Sequence, residues 1–90
     1  MVTKESIQEL IDSGMLKEAL AFAEDALKEV PSDDTFHYLK GKILMRMGDW
    51  KGATDAYLQA DALNPEGPAR EQLVMIKDIM DFYNKDMYNH

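Results

Sequence analysis

Apolar residues recur every three to four positions along most of the chain, the spacing that places them on one face of an α-helix. Ile7, Leu10 and Ile11 follow this spacing near the start, and Ala19 and Ala23 follow it in the next segment. Glycine, proline and small polar residues separate the segments, as is typical of turns. The pattern therefore predicts an all-α protein of about five helices. We expect these helices to span about 4–13, 16–30, 35–47, 50–63 and 68–83.

Two stretches of the chain repeat one another at a fixed offset. Gly14 and Gly48 lie 34 positions apart. A constant period of this length indicates stacked structural repeats, each of which is one supersecondary unit. Three further pairs keep the same offset: Ala19 and Ala53, Ala26 and Ala60, and Pro31 and Pro65.

The second copy resembles the tetratricopeptide repeat, a helix–turn–helix unit of 34 residues. Ala53, Tyr57 and Pro65 match the second half of the family pattern, and Gly41 matches its first half. His37 stands where the family has tryptophan, so we expect it to have a packing role, with a ligand or switch role as the alternative. Two copies in the same register make the resemblance specific.

The resemblance implies a solenoid of antiparallel helix pairs stacked in a right-handed superhelix. We expect one domain over residues 1–90, with repeat one at 1–33, repeat two at 34–67, and a C-terminal capping helix and tail at 68–90. The chain as a whole resembles short stand-alone bacterial members of the family, which have two repeats and a tail similar to the FYNKDMYN of residues 82–89.

Several residues at repeat positions have predictable physical roles. Gly41 leaves room for a close approach between helices. Gly14 and Gly48 suit the left-handed residue that ends a helix, and Asp49 then caps the next one. Trp50 is predicted to be the main buried aromatic side chain between the two helices of the second copy.

The resemblance also implies a groove lined by the first helix of each repeat, in which family members bind extended peptides. Lys4, Lys42 and Arg46 are cations at groove positions, where they are suited to pair with a peptide carboxylate. The alternative is that these side chains are only solvated. The full predicted groove contains Lys4, Gln8, Ile11, Tyr38, Leu39, Lys42, Met45, Arg46, Gln72, Leu73 and Ile76.

The fifth helix carries more apolar surface than a single neighbouring helix can cover. One stripe contains Leu73, Ile76, Met80 and Tyr83, and a second contains Met75, Ile79 and Phe82. A large uncovered stripe usually marks an interface. The alternative function is therefore self-association, as a homodimer through Met75, Ile79, Phe82 and Tyr83. A second possibility is that Tyr83, Met87 and Tyr88 fold back and cover the stripe within one chain.

Composition and charge argue against several classes of function. The 90 residues are enough for one small domain. A formal net charge of −7 argues against binding nucleic acid or an anionic membrane surface, because both are negatively charged. The chain has no cysteine, so neither a disulfide nor a thiolate site is possible. The first residues contain no apolar signal segment, and we expect a soluble, cytoplasmic protein.

No arrangement of residues in the sequence indicates catalysis. The two histidines, His37 and His90, are far apart in the chain, and the glycines are dispersed rather than gathered in a phosphate-binding loop. We therefore predict a non-catalytic protein with no cofactor and no metal site. The predicted function is that of a protein–protein interaction module or scaffold that binds a peptide or protein segment.

Overall fold

The computed structural model describes residues 3–83, with the side chain of Tyr83 left out. Five α-helices make up this part of the chain, and each end lies within one residue of its predicted position. The helices are α1 (Lys4–Asp12), α2 (Leu16–Glu29), α3 (Asp34–Arg46), α4 (Trp50–Leu63) and α5 (Ala69–Tyr83).

Capping residues mark where helices begin and end. Thr3, Asp33 and Asp49 each precede a helix, and a side-chain oxygen of each accepts a hydrogen bond from a backbone N–H of the first turn. Gly14 and Gly48 follow the first helix of each pair with φ angles of 78° and 83°. Only glycine adopts this left-handed conformation without a steric penalty, which confirms the predicted role of both residues.

The helices stack in chain order. Each helix packs against the next one, and α1 also packs against α3, so α3 lies between α2 and α4. This arrangement places the first helices of the two repeats, α1 and α3, side by side. The second helices, α2 and α4, pack on the helices that precede and follow them.

Two apolar clusters fill the stack. The first joins α1, α2 and α3, and its members from α2 are all alanines, so that neighbouring helices can approach closely. It contains Ile7, Ile11, Ala19, Ala23, Ala26, Phe36, Leu39 and Ile43. The second joins α3, α4 and α5 and contains Leu44, Ala53, Tyr57, Ala60, Ala69 and Ile76.

The aromatic side chain at the centre of the second cluster is Tyr57, not Trp50. Tyr57 is 1% exposed and lies in the middle of α4, where its ring faces Gly41. A β-carbon added to Gly41 would lie 2.6 Å from two atoms of that ring, which explains why position 41 needs glycine. Trp50 is only half-buried and packs at the edge of the cluster, because it is the first residue of α4. The prediction that Trp50 is the main buried aromatic residue is therefore wrong.

Across residues 3–83, every helix is too short or too polar to cross a lipid bilayer.

Candidate functional site

Residues at equivalent repeat positions are neighbours on α1 and α3. Lys42 Nζ donates a hydrogen bond of 2.9 Å to Oε1 of Gln8, and the two residues are 34 positions apart. The bond shows that α1 and α3 lie in register, one repeat apart. We call the surface formed by these two helices the groove face, and it consists of Gln8, Asp12, Tyr38, Lys42, Met45 and Arg46.

The ammonium group of Lys42 is at the centre of the groove face. Besides its bond to Gln8, it lies 5.8 Å from the centroid of the Tyr38 ring, within range of a cation–π interaction. Gln8 in turn donates from Nε2 to Oδ1 of Asp12 at 2.8 Å. An ammonium group has three N–H donors. Within residues 3–83, the hydrogen bond to Gln8 uses one of these three N–H donors. The ammonium group of Lys42 therefore has further donors to offer a ligand.

Tyr38 connects the groove face to the core. Its ring centroid is 5.6 Å from that of Tyr57, with the two planes tilted by 48°, a favourable arrangement for aromatic pairs. Burial raises the pKa of the Tyr57 phenol well above its usual range, and the nearby Tyr38 adds to the shift. The Tyr57 ring thus joins Tyr38, which lies beside Lys42, to the buried core.

The three predicted cations differ in their surroundings. Arg46 is exposed in the last turn of α3, where no hydrogen bond or ion pair joins it to another residue of the described part. Lys4 is already engaged, because its Nζ lies 3.2 Å from Oδ2 of Asp33 and 5.4 Å from the centroid of the Phe36 ring. Lys4 thus ties the start of α1 to the start of α3, which leaves Lys42 and Arg46 as the cations of the groove face.

Three residues predicted to line the groove belong to the core. Ile11, Leu39 and Ile76 are 1%, 5% and 4% exposed. Their helical spacing predicted a shared face correctly, but that face packs against neighbouring helices and not against solvent. In this conformation the three side chains cannot contact a bound peptide.

The groove face continues toward α5. Tyr38 and Met45 of α3 and Leu73 of α5 all pack on the border of the second core cluster and stay partly accessible. Gln72, the neighbour of Leu73, is half-buried as well. Of the α5 residues predicted to line the groove, only Gln72 and Leu73 are therefore partly accessible.

The residues predicted for self-association lie on the outer side of α5. Met75 and Phe82 are exposed and Ile79 is half-buried. The side chain of Tyr83, and the Met87 and Tyr88 of the predicted fold-back, are outside the described residues. The sequence did not assign Trp50 to this surface, yet Trp50 lines an open depression of about 430 Å³ with Asp78, Ile79 and Phe82.

His37 has a structural hydrogen bond. Its Nε2 lies 2.8 Å from the carbonyl oxygen of Pro31, which can only accept, so Nε2 carries the proton. The bond links α3 to the turn that precedes it and agrees with the packing role expected from the sequence. Over residues 3–83, no group of three or more His, Asp or Glu side chains is arranged to hold a metal ion.

Comparison with known proteins identifies a matching family and a similar solved structure. Residues 10–74 match the tetratricopeptide repeat. The chain is also similar to a Bacteroides fragilis protein whose structure was solved by solution NMR, at 41% sequence identity and a TM-score of 0.85. The similarity covers 99% of this chain and 91% of that one. Among curated proteins no match was found. The two similarities confirm the predicted all-α stack of helix pairs.

Proposed function

The chain belongs to the tetratricopeptide repeat family, whose members generally mediate protein–protein interactions, and we propose that its groove face binds an acidic peptide segment or a C-terminal carboxylate of a partner protein. The family is generally non-catalytic. We therefore propose a binding or scaffolding role and no reaction.

The observation that carries the proposal is the environment of Lys42. The residue is half-buried, its ammonium group is held by Gln8 and the Tyr38 ring, and that group has donors that no residue in the described range uses. A cation fixed in this way loses little conformational freedom when it binds a carboxylate. Charge-assisted hydrogen bonds of this kind are about twice as strong as neutral ones.

The charge of the groove face supports an anionic ligand. Lys42 and Arg46 contribute two positive charges and Asp12 one negative charge, so the face carries a net charge of +1 in a chain of −7. Lys42 and Arg46 are one turn apart on α3 and therefore point to the same side. A peptide with two carboxylates about one turn apart would pair with both.

The uncharged residues of the groove face indicate what else the ligand contains. Met45 and the Tyr38 ring are partly accessible and offer apolar surface beside the cations. Methionine adapts to varied partner shapes, and aromatic rings supply contact area at low entropic cost. We therefore propose a ligand in which an apolar side chain precedes or follows an acidic one.

The test is a titration of 15N-labelled protein with a short peptide of alternating leucine and glutamate, followed by NMR. We expect shift changes at the amides of Gln8, Lys42 and Arg46. The double variant Lys42→Gln, Arg46→Gln should bind at least about tenfold more weakly, because charge-assisted hydrogen bonds contribute about 1.5–3 kcal/mol each. The affinity should also fall as salt is raised.

A matched control removes the same charge elsewhere. Lys17 and Lys51 occupy equivalent positions on α2 and α4, both are exposed, and neither belongs to the groove face. The double variant Lys17→Gln, Lys51→Gln should keep the wild-type affinity. Equal weakening in both double variants would mean that only the net charge matters, and the assignment of the ligand to the groove face would be wrong.

Self-association through α5, the alternative function derived from the sequence, stays a prediction. It concerns a different surface from the groove face, so both functions are compatible in one molecule. Sedimentation velocity over a range of protein concentrations distinguishes a monomer from a homodimer.

A further inference from the structure

The two ends of the helix stack have different surfaces. At the first end, the exposed residues of α1 include Lys4, Glu5, Glu9 and Asp12, all of them charged. At the other end, α5 exposes apolar side chains, among them Val74 at 55% and Phe82 at 74%. The terminal unit of a repeat stack needs a polar outer face to stay soluble. Helix α5 therefore exposes apolar side chains beside its charged ones, and this apolar part is suited to packing against another helix.

The apolar part of this surface is a shaped depression between two helices. Trp50 at the start of α4 and Ile79 and Phe82 in the last turns of α5 line it, and its open volume is about 430 Å³. Met75 lies one turn before Ile79 and extends the apolar stripe along α5. Apolar side chains spaced along one helix beside a half-buried tryptophan form the kind of groove that accepts an amphipathic helix.

Carboxylates border the same stripe. Glu71 and Asp78 are seven residues apart, which places them on one side of α5, next to Met75 and Phe82. Asp78 lines the depression itself. Both are exposed, and neither makes an ion pair or hydrogen bond with another residue in the part of the chain described. We call the surface formed by Trp50, Glu71, Met75, Asp78, Ile79 and Phe82 the α5 edge.

Both cations of α5 pair with carboxylates other than Glu71 and Asp78. Arg70 forms hydrogen bonds of 3.2 Å to both carboxylate oxygens of Asp61, and Lys77 pairs with Asp81 at 3.0 Å. Lys51, although next to Trp50 in sequence, does not line the depression. Among the described residues, the α5 edge is therefore formed by apolar and acidic side chains.

We propose that the α5 edge binds an amphipathic helix of a partner protein, in which lysine or arginine flanks a stripe of apolar residues. The stripe would fill the depression beside Trp50, and the cations would pair with Glu71 and Asp78. A second copy of this chain is a poorer occupant, because it would bring the same carboxylates and a further net charge of −7. This site lies apart from the groove face and does not depend on the function proposed for that face.

The test uses two synthetic helices that differ only in charge. One is an acetylated and amidated peptide of about 15 residues containing leucine, alanine and lysine, with leucine at helical spacing, and in the other glutamate replaces lysine. Calorimetric titration of the full chain should show that the lysine peptide binds at least about tenfold more tightly than the glutamate peptide. Chemical-shift changes should centre on Trp50 and Asp78.

Charge reversal at the α5 edge sharpens the test. Asp78→Lys should weaken binding of the lysine peptide by about tenfold and strengthen binding of the glutamate peptide. The control is Asp55→Lys, which makes the same charge change at an exposed position of α4 outside the depression, and it should leave both affinities nearly unchanged. Both variants should bind the acidic groove peptide as the wild type does.

Three results would overturn the proposal. Equal affinity for the lysine and glutamate peptides would reduce the α5 edge to a non-specific apolar patch. A wild-type chain that sediments as a dimer at micromolar concentration, and as a helical monomer after Phe82→Asp, would assign the surface to a second copy. Nuclear Overhauser contacts between Trp50 and Tyr88 in the free full chain would assign it to the chain's own C-terminal residues.

Discussion

The close contact between Gly41 and Tyr57 predicts that a single methyl group will destabilise the fold. In the variant Gly41→Ala, the new β-carbon would lie 2.6 Å from Cδ1 and Cε1 of Tyr57 and 2.9 Å from Cζ. Non-bonded carbon atoms are normally separated by about 3.5–4.0 Å, so the ring or the helix must move by roughly 1 Å. Tyr57 is 1% exposed and enclosed on all sides, which makes that movement costly.

Two opposing effects determine the size of the loss. Overpacking in a dense core costs about 1–3 kcal/mol. Alanine, on the other hand, is about 0.8–1.0 kcal/mol better than glycine in a helix interior, and position 41 lies in the middle of α3. The difference lies between about 0 and 2 kcal/mol, so we expect Gly41→Ala to lower the free energy of unfolding by up to about 2 kcal/mol, which corresponds to a Tm up to about 15 °C lower in a domain of this size.

Urea denaturation followed by far-ultraviolet circular dichroism measures this loss. The measurement is repeated in a Tyr57→Leu background, where the ring that would clash is gone. There the helix propensity of alanine should dominate, and Gly41→Ala should be neutral or stabilising. Should Gly41→Ala raise the stability of the wild-type chain, or cost the same in both backgrounds, the contact with Tyr57 would not be the reason for glycine at this position.

Other expected outcomes follow from the same structure. Tyr57→Ala should cost about 3–5 kcal/mol and Trp50→Ala distinctly less, because only Tyr57 is fully enclosed; comparable losses in denaturation experiments would contradict this ranking. Gly48→Ala should cost about 1–2 kcal/mol although no atom is within 4 Å of the added methyl group, since φ is 83°; Gly48→Asn, which tolerates this conformation better, should recover part of the loss. Burial raises the pKa of Tyr57, so its contribution is present below the unfolded pKa of about 10 and is lost as pH rises further. Between about pH 9 and 11, Tyr57→Phe should therefore lose less stability than the wild type, and a parallel decline of the two would show that other groups control alkaline unfolding.

Local signals in the sequence were sufficient to predict the helices and their order. Glycine at a left-handed position, a capping aspartate after it and a regular apolar spacing depend only on neighbours in the chain, so Gly48 and Asp49 marked the start of α4 correctly. The period of 34 residues also predicted which helices are equivalent. The hydrogen bond between Gln8 and Lys42 joins residues separated by that period.

The degree of burial could not be predicted from spacing alone. Ile11 and Leu39 follow a helical face as expected, but a helix inside a stack has neighbours on several sides, and spacing does not say which face meets solvent. The pairing of Lys4 with Asp33 was missed for a related reason, since it joins the starts of two helices that are distant in sequence. Trp50 was misjudged because, as the first residue of α4, it lies at the edge of the second cluster.

The hydrogen bond between Gln8 and Lys42 limits how this protein could be lengthened. Because equivalent positions are neighbours on α1 and α3, duplicating residues 34–67 in tandem would place Lys42 beside its own copy and Arg46 beside another arginine. Like charges this close repel one another. The two natural copies avoid the conflict, with glutamine facing lysine and aspartate at the position equivalent to arginine. An engineered longer version that alternates the two kinds of repeat avoids this repulsion, so the sequence divergence between them favours stacking.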